Sequence, residues 1–192
     1  MSGGSTISEW KDDGTNLSPR DARGLDINGG TLDGVSVGTD GTVSALTLTE
    51  KASIALDPAG GTDGDYSGVT IAGTGGEAID FGETVYLKAG DSKWWNTDAD
   101  ATATAGAVMV AMVVVAGDAE ATVTLLTYGQ VRADAAFPAL TIGAPVYLGA
   151  TAGDIVTTAP AGDADVVRVM GHALTANEIL FNPSGDWIVV TA

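Results

Sequence analysis

The chain reads as an all-β protein: a short-stranded barrel or sandwich with an internally duplicated β unit, preceded by an extended N-terminal β arm. Three observations predict this. Glycine is abundant (27 of 192 residues) and Thr, Val and Ala are frequent, while good helix formers other than Ala are scarce. Short apolar runs of period two stand between turn-forming clusters, the pattern of strands joined by tight turns. Finally, one stretch is echoed. Gly82-Glu-Thr-Val-Tyr-Leu87 returns as Gly143-Ala-Pro-Val-Tyr-Leu148, 61 positions later, and Val108-Met-Val-Ala111 returns as Val169-Met-Gly-His172 at the same offset. Two ungapped matches at one offset describe a supersecondary unit used twice, residues 82–116 and 143–177. The offset sets Tyr86 against Tyr147, Met109 against Met170 and Ala111 against His172.

Residues 1–24 are polar and without periodicity, and read as an extended arm. Half of the arginines and one of the four tryptophans fall in this stretch. Trp10, Lys11, Arg20 and Arg23 are therefore the candidate partner-binding residues: a Trp anchors in a pocket and Arg pairs carboxylates bidentately. Residues 25–57 hold thin alternating strands (Leu25-Asp-Ile27, Val35-Ser-Val37, Leu46-Thr-Leu48, Ile54-Ala-Leu56) separated by Asn28-Gly-Gly30, Asp33-Gly34, Gly38-Thr-Asp-Gly41 and Asp57-Pro58. Each offers one or two apolar residues inward, too few for a core of their own, so they are expected to join a neighbouring sheet or another chain. Residues 58–77 are rich in Gly and Asp and read as a connector broken by Val69-Thr-Ile71, with a boundary near residue 77. The expected domains are thus 1–77, for attachment and oligomerisation, and 78–192, the β-barrel or sandwich.

In the second domain the expected strands are Thr84–Lys88, Lys93–Asn96, Val108–Val115, Ala121–Thr127, Gly129–Ala133, Pro145–Leu148, Ile155–Thr157, Val166–Ala173, Glu178–Phe181 and Trp187–Val190. Helix is limited to a turn near 98–104 or 175–178. Trp94-Trp95 lies in a strand, so its rings point to opposite faces, one into a core and one toward solvent or a neighbouring subunit. Trp94, Trp95 and His172 are the candidates for an oligomer interface or an exposed aromatic site. Trp95, Tyr66 and Tyr128 could also form a glycan platform.

Charge narrows the partners. With 8 Lys+Arg against 25 Asp+Glu, the net charge is −17, a surface that repels nucleic-acid phosphates and anionic membranes. No cysteine and a single histidine leave no zinc site of familiar type, no thiol nucleophile and no cue for a Ser-His-Asp triad. The pairs Asp63/Asp65, Asp98/Asp100 and Asp163/Asp165 read as solvated turn carboxylates. Calcium loops or a glycosidase pair remain open for them, although none has the EF-hand spacing. Gly73-Thr-Gly-Gly76 lacks the Lys and helix of a phosphate loop. The longest apolar run, residues 107–116, is too short for a membrane-spanning helix, and the first residues lack the basic and apolar regions of a signal peptide. No cofactor, metal or catalytic residue is expected.

The C-terminal half carries a resemblance. Gly143-Ala-Pro-Val-Tyr-Leu-Gly-Ala-Thr-Ala-Gly-Asp-Ile-Val-Thr-Thr-Ala-Pro160, Asp165-Val-Val-Arg-Val-Met-Gly-His-Ala-Leu174 and Ile179-Leu-Phe-Asn-Pro-Ser-Gly-Asp-Trp187 resemble the C-terminal domain of tailed-bacteriophage virion proteins of the capsid decoration, head fibre and tail fibre type, over about residues 80–190. The resemblance implies a β-rich, non-enzymatic, oligomeric virion protein, made in the host cytoplasm and set on the outer capsid surface. Its partners would be the major capsid protein, its own copies (a homotrimer) and a host-surface glycan. The chain is short for a tail fibre, which favours a decoration (cement) protein or short head fibre. A tail-fibre or receptor-binding tip is the alternative, and a β-fold carbohydrate-active enzyme a third.

Overall fold

The computed structural model describes residues 10–12 and 17–19 as backbone, and residues 50, 53–56 and 61–191 in full. The chain divides into two units, residues 1–52 and 53–192. In the first, β1 (Trp10–Asp12) and β2 (Leu17–Pro19) pair antiparallel, with Trp10 opposite Pro19 and Lys11 opposite Ser18. Three of the expected thin strands, Leu25–Ile27, Val35–Val37 and Leu46–Leu48, lie outside the described residues. Ile54–Leu56 is described and forms no strand.

The second unit is all-β apart from one helical turn. Its elements are β3 (Tyr66–Thr74), β4 (Thr84–Lys88), β5 (Lys93–Asn96), α1 (Thr102–Ala105), β6 (Val110–Val115), β7 (Thr122–Arg132), β8 (Pro145–Leu148), β9 (Ile155–Val156), β10 (Val166–Val167), β11 (Val169–Ala173), β12 (Glu178–Phe181) and β13 (Ile188–Val189). β10 and β13 form a two-stranded ladder, and the rest form one curled antiparallel sheet, a half-barrel. The boundary expected near residue 77 is displaced, because the supposed connector contains β3, which pairs with β7 from Tyr66–Val131 to Thr74–Thr122.

β7 organises the sheet. β3 covers one edge over almost its whole length, so β6 and β12 must share the other. β6 pairs near Thr124–Leu126 and β12 at Gly129–Arg132. Two sub-sheets therefore grow from one edge: β6-β4-β5 and β12-β11-β8-β9. The expected turn at Tyr128-Gly129 is instead a bulge within a continuous strand, where Val69 faces Tyr128 and the next residue, Thr70, faces Leu126. The extra residue, Thr127, donates its hydroxyl to the Val69 carbonyl (3.0 Å). The bulge switches the alternation of β7, so Leu126 and Val131 both enter one core.

That larger core joins Val110, Met112, Val114 and Leu126 of the first sub-sheet to Val146, Leu148, Met170, Ala173, Ile179 and Phe181 of the second. A smaller core covers the other face of the first sub-sheet: Ile79, Val85, Trp94, Ala111, Val113, Val123 and Leu125.

The duplication is real as topology. In each copy a hairpin (β4-β5, β8-β9) is followed by a strand pairing with its first arm (β6, β11) and then one pairing outside that (β7, β12). The entry turns also match: Glu83 N–H bonds the Asp80 carbonyl as Ala144 N–H bonds that of Thr141, around Gly82 (φ 86°) and Gly143 (φ 78°). Such a positive φ suits glycine. Tyr86 and Tyr147 correspond at the offset of 61, as expected. A constant offset does not hold further on. Gly82 N–H bonds Val113 and Gly143 N–H bonds Ala173, an offset of 60 (173 against 113) on the following strand; Leu87 bonds Met109 and Leu148 bonds Arg168, an offset of 59 (168 against 109). The link from the second hairpin to its next strand is two residues shorter than in the first copy (Leu148 to Arg168 against Leu87 to Met109), and the bulge between Val169 and Gly171 restores one of them. Met109 therefore matches Arg168, not Met170, and their burial agrees: Met109 is 48% exposed and Met170 is 0% exposed. His172 matches Met112 rather than Ala111, each lying opposite the equivalent residue, Pro145 or Thr84. The expected strand Val166–Ala173 is likewise broken at Arg168, and where the first copy has α1 between β5 and β6 the second has β10 between β9 and β11.

β3 and β7 approach very closely at Gly68 opposite Gly129. A Cβ on Gly129 would lie 2.2 Å from the Ser67 carbonyl oxygen and 2.7 Å from the Gly68 Cα. Backbone cannot yield as a side chain can. Gly129→Ala is expected to destabilise the fold by on the order of 3 kcal/mol, read as a lower denaturant midpoint at unchanged slope. A shift no larger than that of an exposed-loop substitution such as Gly90→Ala, where the added Cβ meets nothing, would contradict the close approach.

Candidate functional site

The candidates Trp10 and Lys11 lie in β1, while Arg20 and Arg23 lie outside the described residues. Trp94 and Trp95 point to opposite faces of β5 as expected. Trp94 is buried in the smaller core and Trp95 is half-buried. The glycines of the supposed connector are what these rings require. A Cβ on Gly73 would lie 2.4 Å from the Trp94 indole nitrogen, and one on Gly76 would lie 2.2 Å from the Trp95 ring. The segment is glycine-rich because two indoles press on its backbone.

Trp95 is the centre of a polar cluster on the β4-β5 hairpin. Lys88 Nζ sits 4.3 Å above its ring, a cation–π contact. Its Nε1–H donates to Asp91 Oδ2 (3.1 Å), and the Lys93 backbone N–H donates to Asp91 Oδ1 (3.1 Å). Burial pushes the Asp91 carboxyl up, but these two hydrogen bonds and the charges of Lys88 and Lys93 outweigh it and leave the group below its ordinary value. Lys93 also pairs with Glu120. Tyr66 and Tyr128, proposed with Trp95 as a platform, lie on β3 and β7, with Tyr128 opposite Val69.

His172 is exposed on β11, opposite Leu180 and Pro145. This face of the second sub-sheet matches the face of the first that carries Met112 and Leu126 into the larger core. The same structural position is core in one copy and surface in the other.

The loop carboxylates are partly brought together. Asp98 and Asp165 come near one another where Val166 N–H bonds the Ala99 carbonyl (2.6 Å). Burial, then the neighbouring Asp100 and Asp165 charges, push the Asp98 carboxyl above its ordinary value, only partly offset by the Asp100 N–H bond to Asp98 Oδ1 (3.2 Å). Asp165 is buried, with Oδ2 capped by Gly162 N–H (2.6 Å). It borders a wide, mostly apolar hollow of about 490 Å³ lined by Pro138, Val156, Pro160 and Ala161. Asp63 and Asp65 brace the start of β3. Asp63 accepts the Asp134 N–H (2.7 Å), and Asp65 Oδ2 accepts that of Thr62 (2.9 Å). Among the described residues no three His, Cys, Asp or Glu side chains are grouped to hold a metal ion.

Sequence reasoning missed Arg168. Its guanidinium is buried without a carboxylate and bridges main-chain carbonyls. Nε donates to Ser184 (2.8 Å), and one terminal nitrogen meets the carbonyls of Ala105 (3.2 Å), Gly106 (2.9 Å) and Val108 (3.0 Å). Burial lowers its pKa. The fork ties the end of α1 to the C-terminal loop, and only the interruption of an apolar strand by a cation hinted at it. With Arg168 placed, each of the four cationic side chains of residues 61–191 has an internal partner. Lys88 has Asp91 and Trp95, Lys93 has Glu120, and Arg132 has Asp134 (2.8 Å).

No protein-family model matches this chain, and neither does any curated protein.

The raised Asp98 carboxyl sets a pH dependence. Its folded pKa exceeds the unfolded one, so the native state holds this proton more tightly. The cost of ionising it is absent below the unfolded value and complete above the folded one. Asp98→Asn keeps an oxygen for the Asp100 N–H and removes the charge. The variant should melt higher than the parent at pH 7, with the difference shrinking as pH falls through the carboxylate range. A melting-temperature difference independent of pH would contradict the assignment.

Proposed function

We propose that this chain is a structural protein of a bacteriophage virion, a decoration (cement) or short head-fibre protein that sits on the outer face of the capsid. It acts by binding and assembly rather than by turnover. The resemblance over residues 80–190 brings the family to mind, and the all-β fold is compatible with it. The observation that carries the mode of attachment is the state of the cations. All four in residues 61–191 already have partners in the fold, on a chain of net charge −17. Gripping carboxylates on a major capsid protein with this body would mean breaking those contacts. The remaining cations are Lys11, Arg20, Arg23 and Lys51, and three of them flank Trp10 within residues 1–24. That arm is the attachment segment: the Trp supplies desolvated apolar contact and the arginines supply bidentate pairs. Self-association into a homotrimer then presents several arms at once and multiplies weak attachments into a firm one.

Removing residues 1–24 deletes β1 and β2 and none of the strands of the curled sheet. The truncated protein should keep its circular dichroism and cooperative melting. It should fail to enter particles when supplied during phage assembly, while the full chain appears in many copies per virion by quantitative mass spectrometry. Incorporation of the truncated chain at the full-length level would refute attachment through the arm. Absence of the full chain from purified virions would refute the virion reading itself.

A further inference from the structure

We propose that the apolar hollow beside Asp165 is a docking site for a second copy of this chain. The neighbour's segment 51–56 fills it, with Ile54 between the prolines and Lys51 on the carboxylate. The contact names the surface behind the homotrimer, and it rests on that reading for the number three.

The hollow has two parts. Pro138, Val156, Pro160 and Ala161 line it with apolar surface, and Asp165 sets a carboxylate at its border. Asp165 is 8% exposed. Its Oδ2 accepts the Gly162 N–H, and among the described residues no donor meets Oδ1. A buried carboxylate with an open oxygen is costly until a partner meets it.

The charge nearby is not compensated either. After burial, the charges that push the Asp98 carboxyl up are those of Asp100 and Asp165, with no cation to oppose them. Lys88, Lys93 and Arg132 are paired with Asp91, Glu120 and Asp134, and Arg168 is held by main-chain carbonyls. The group that fits is a cation carried on an apolar body, and it comes from outside residues 61–191.

The chain carries such a group. Lys51 is the single cation between Arg23 and Lys88, and it is the one cation not assigned to the body or to the attachment arm. Three residues further on stands Ile54, in a stretch, 53–56, that forms no strand. Extended backbone advances about 3.3 Å per residue, so the two side chains reach different parts of one hollow. The lysine stem covers apolar surface while its ammonium meets the open oxygen.

The occupant belongs to another copy. Ile54 is 66% exposed, so it does not fill the hollow of its own chain. Segment and hollow are different patches, which makes the contact head-to-tail, and three such contacts close a ring when each copy turns by a third. The ion pair is enclosed by the prolines. Salt therefore screens it less than it screens the repulsion between the acidic exteriors.

Sedimentation equilibrium of the full chain should show a trimer. Lys51→Glu and Ile54→Asp should each weaken association about tenfold or more, with unchanged circular dichroism. Ala161→Lys, at an exposed lining position, should weaken it too, and adding it to Lys51→Glu should recover the trimer. The chain has no cysteine, so the double variant Ile54→Cys, Ala161→Cys should give covalent trimers on oxidation, and a mixture of the two single variants covalent dimers. A monomeric parent, a trimer indifferent to Lys51→Glu and Ile54→Asp, no recovery in the charge-swapped variant, or a disulfide formed within one chain would each overturn the contact. A chain found in purified virions yet monomeric in solution overturns this contact and leaves the virion reading standing. A ring-linked trimer absent from virions does the reverse.

Discussion

The structure depends on one strand having two edges and three neighbours. β7 is long enough to give one edge wholly to β3 and divide the other between β6 and β12. Division requires the sub-sheets to diverge, and divergence requires a local change of twist. The bulge at Thr127 supplies it, and the glycine pair at Gly68 and Gly129 lets the backbones pass where any side chain would collide. Without the bulge, Leu126 and Val131 would face opposite sides and the larger core would lose its link across the two halves.

From that strand follows the unequal treatment of two related copies. The first sub-sheet is buried on both faces, by the smaller core and the larger one. The second is buried on one. Residues equivalent by hydrogen bonding therefore have opposite surroundings: Met112 is core and His172 is surface. The copies are fastened at polar joints. Thr84 and Thr97, both fully buried, share a hydroxyl contact (2.6 Å), and the turn of the second hairpin docks on them, with Thr84 N–H bonding the Gly153 carbonyl (2.7 Å) and Gly153 N–H bonding that of Thr97 (2.8 Å). Arg168 makes the second joint. A planar fork suits convergent carbonyls in a way that a lysine point charge does not.

Strands bounded by clear turn formers were legible from sequence to the residue: β4, β5, β8 and β12 sit where alternation and flanking Gly, Asp, Asn or Pro place them. So were the opposed faces of Trp94 and Trp95. What was not legible involved glycine that serves packing rather than turning. Tyr128-Gly129 reads as a turn locally, and only the presence of β3 across from it makes it a bulge. β3 itself reads as a connector because Gly68 and Gly73 interrupt its pattern, yet those glycines admit Gly129 and Trp94. The constant offset of the echo failed for a related reason. The link before the second copy's next strand is two residues shorter and a bulge at Met170 restores one, shifts that the ungapped sequence match hides. The candidate attachment residues Arg20 and Arg23 lie outside the described residues, so that expectation rests on the sequence.

Charge connects these features to assembly. A folded body that spends each cation of residues 61–191 on an internal carboxylate, indole or carbonyl presents an acidic exterior. Such an exterior keeps copies apart at long range and lets them approach only where charge is missing or where a separate segment brings its own cations and apolar surface to the contact. Attachment and self-association meet that constraint in different ways. Residues 1–24 combine a tryptophan with three cations, suited to an acidic and partly apolar partner. Contacts between copies of the body form against the repulsion of like charge. Salt would act on the two contacts in opposite directions. Screening weakens attachment through arginines, and it relieves the repulsion that opposes pairing of two acidic bodies. Attachment and self-association can therefore be separated by ionic strength alone.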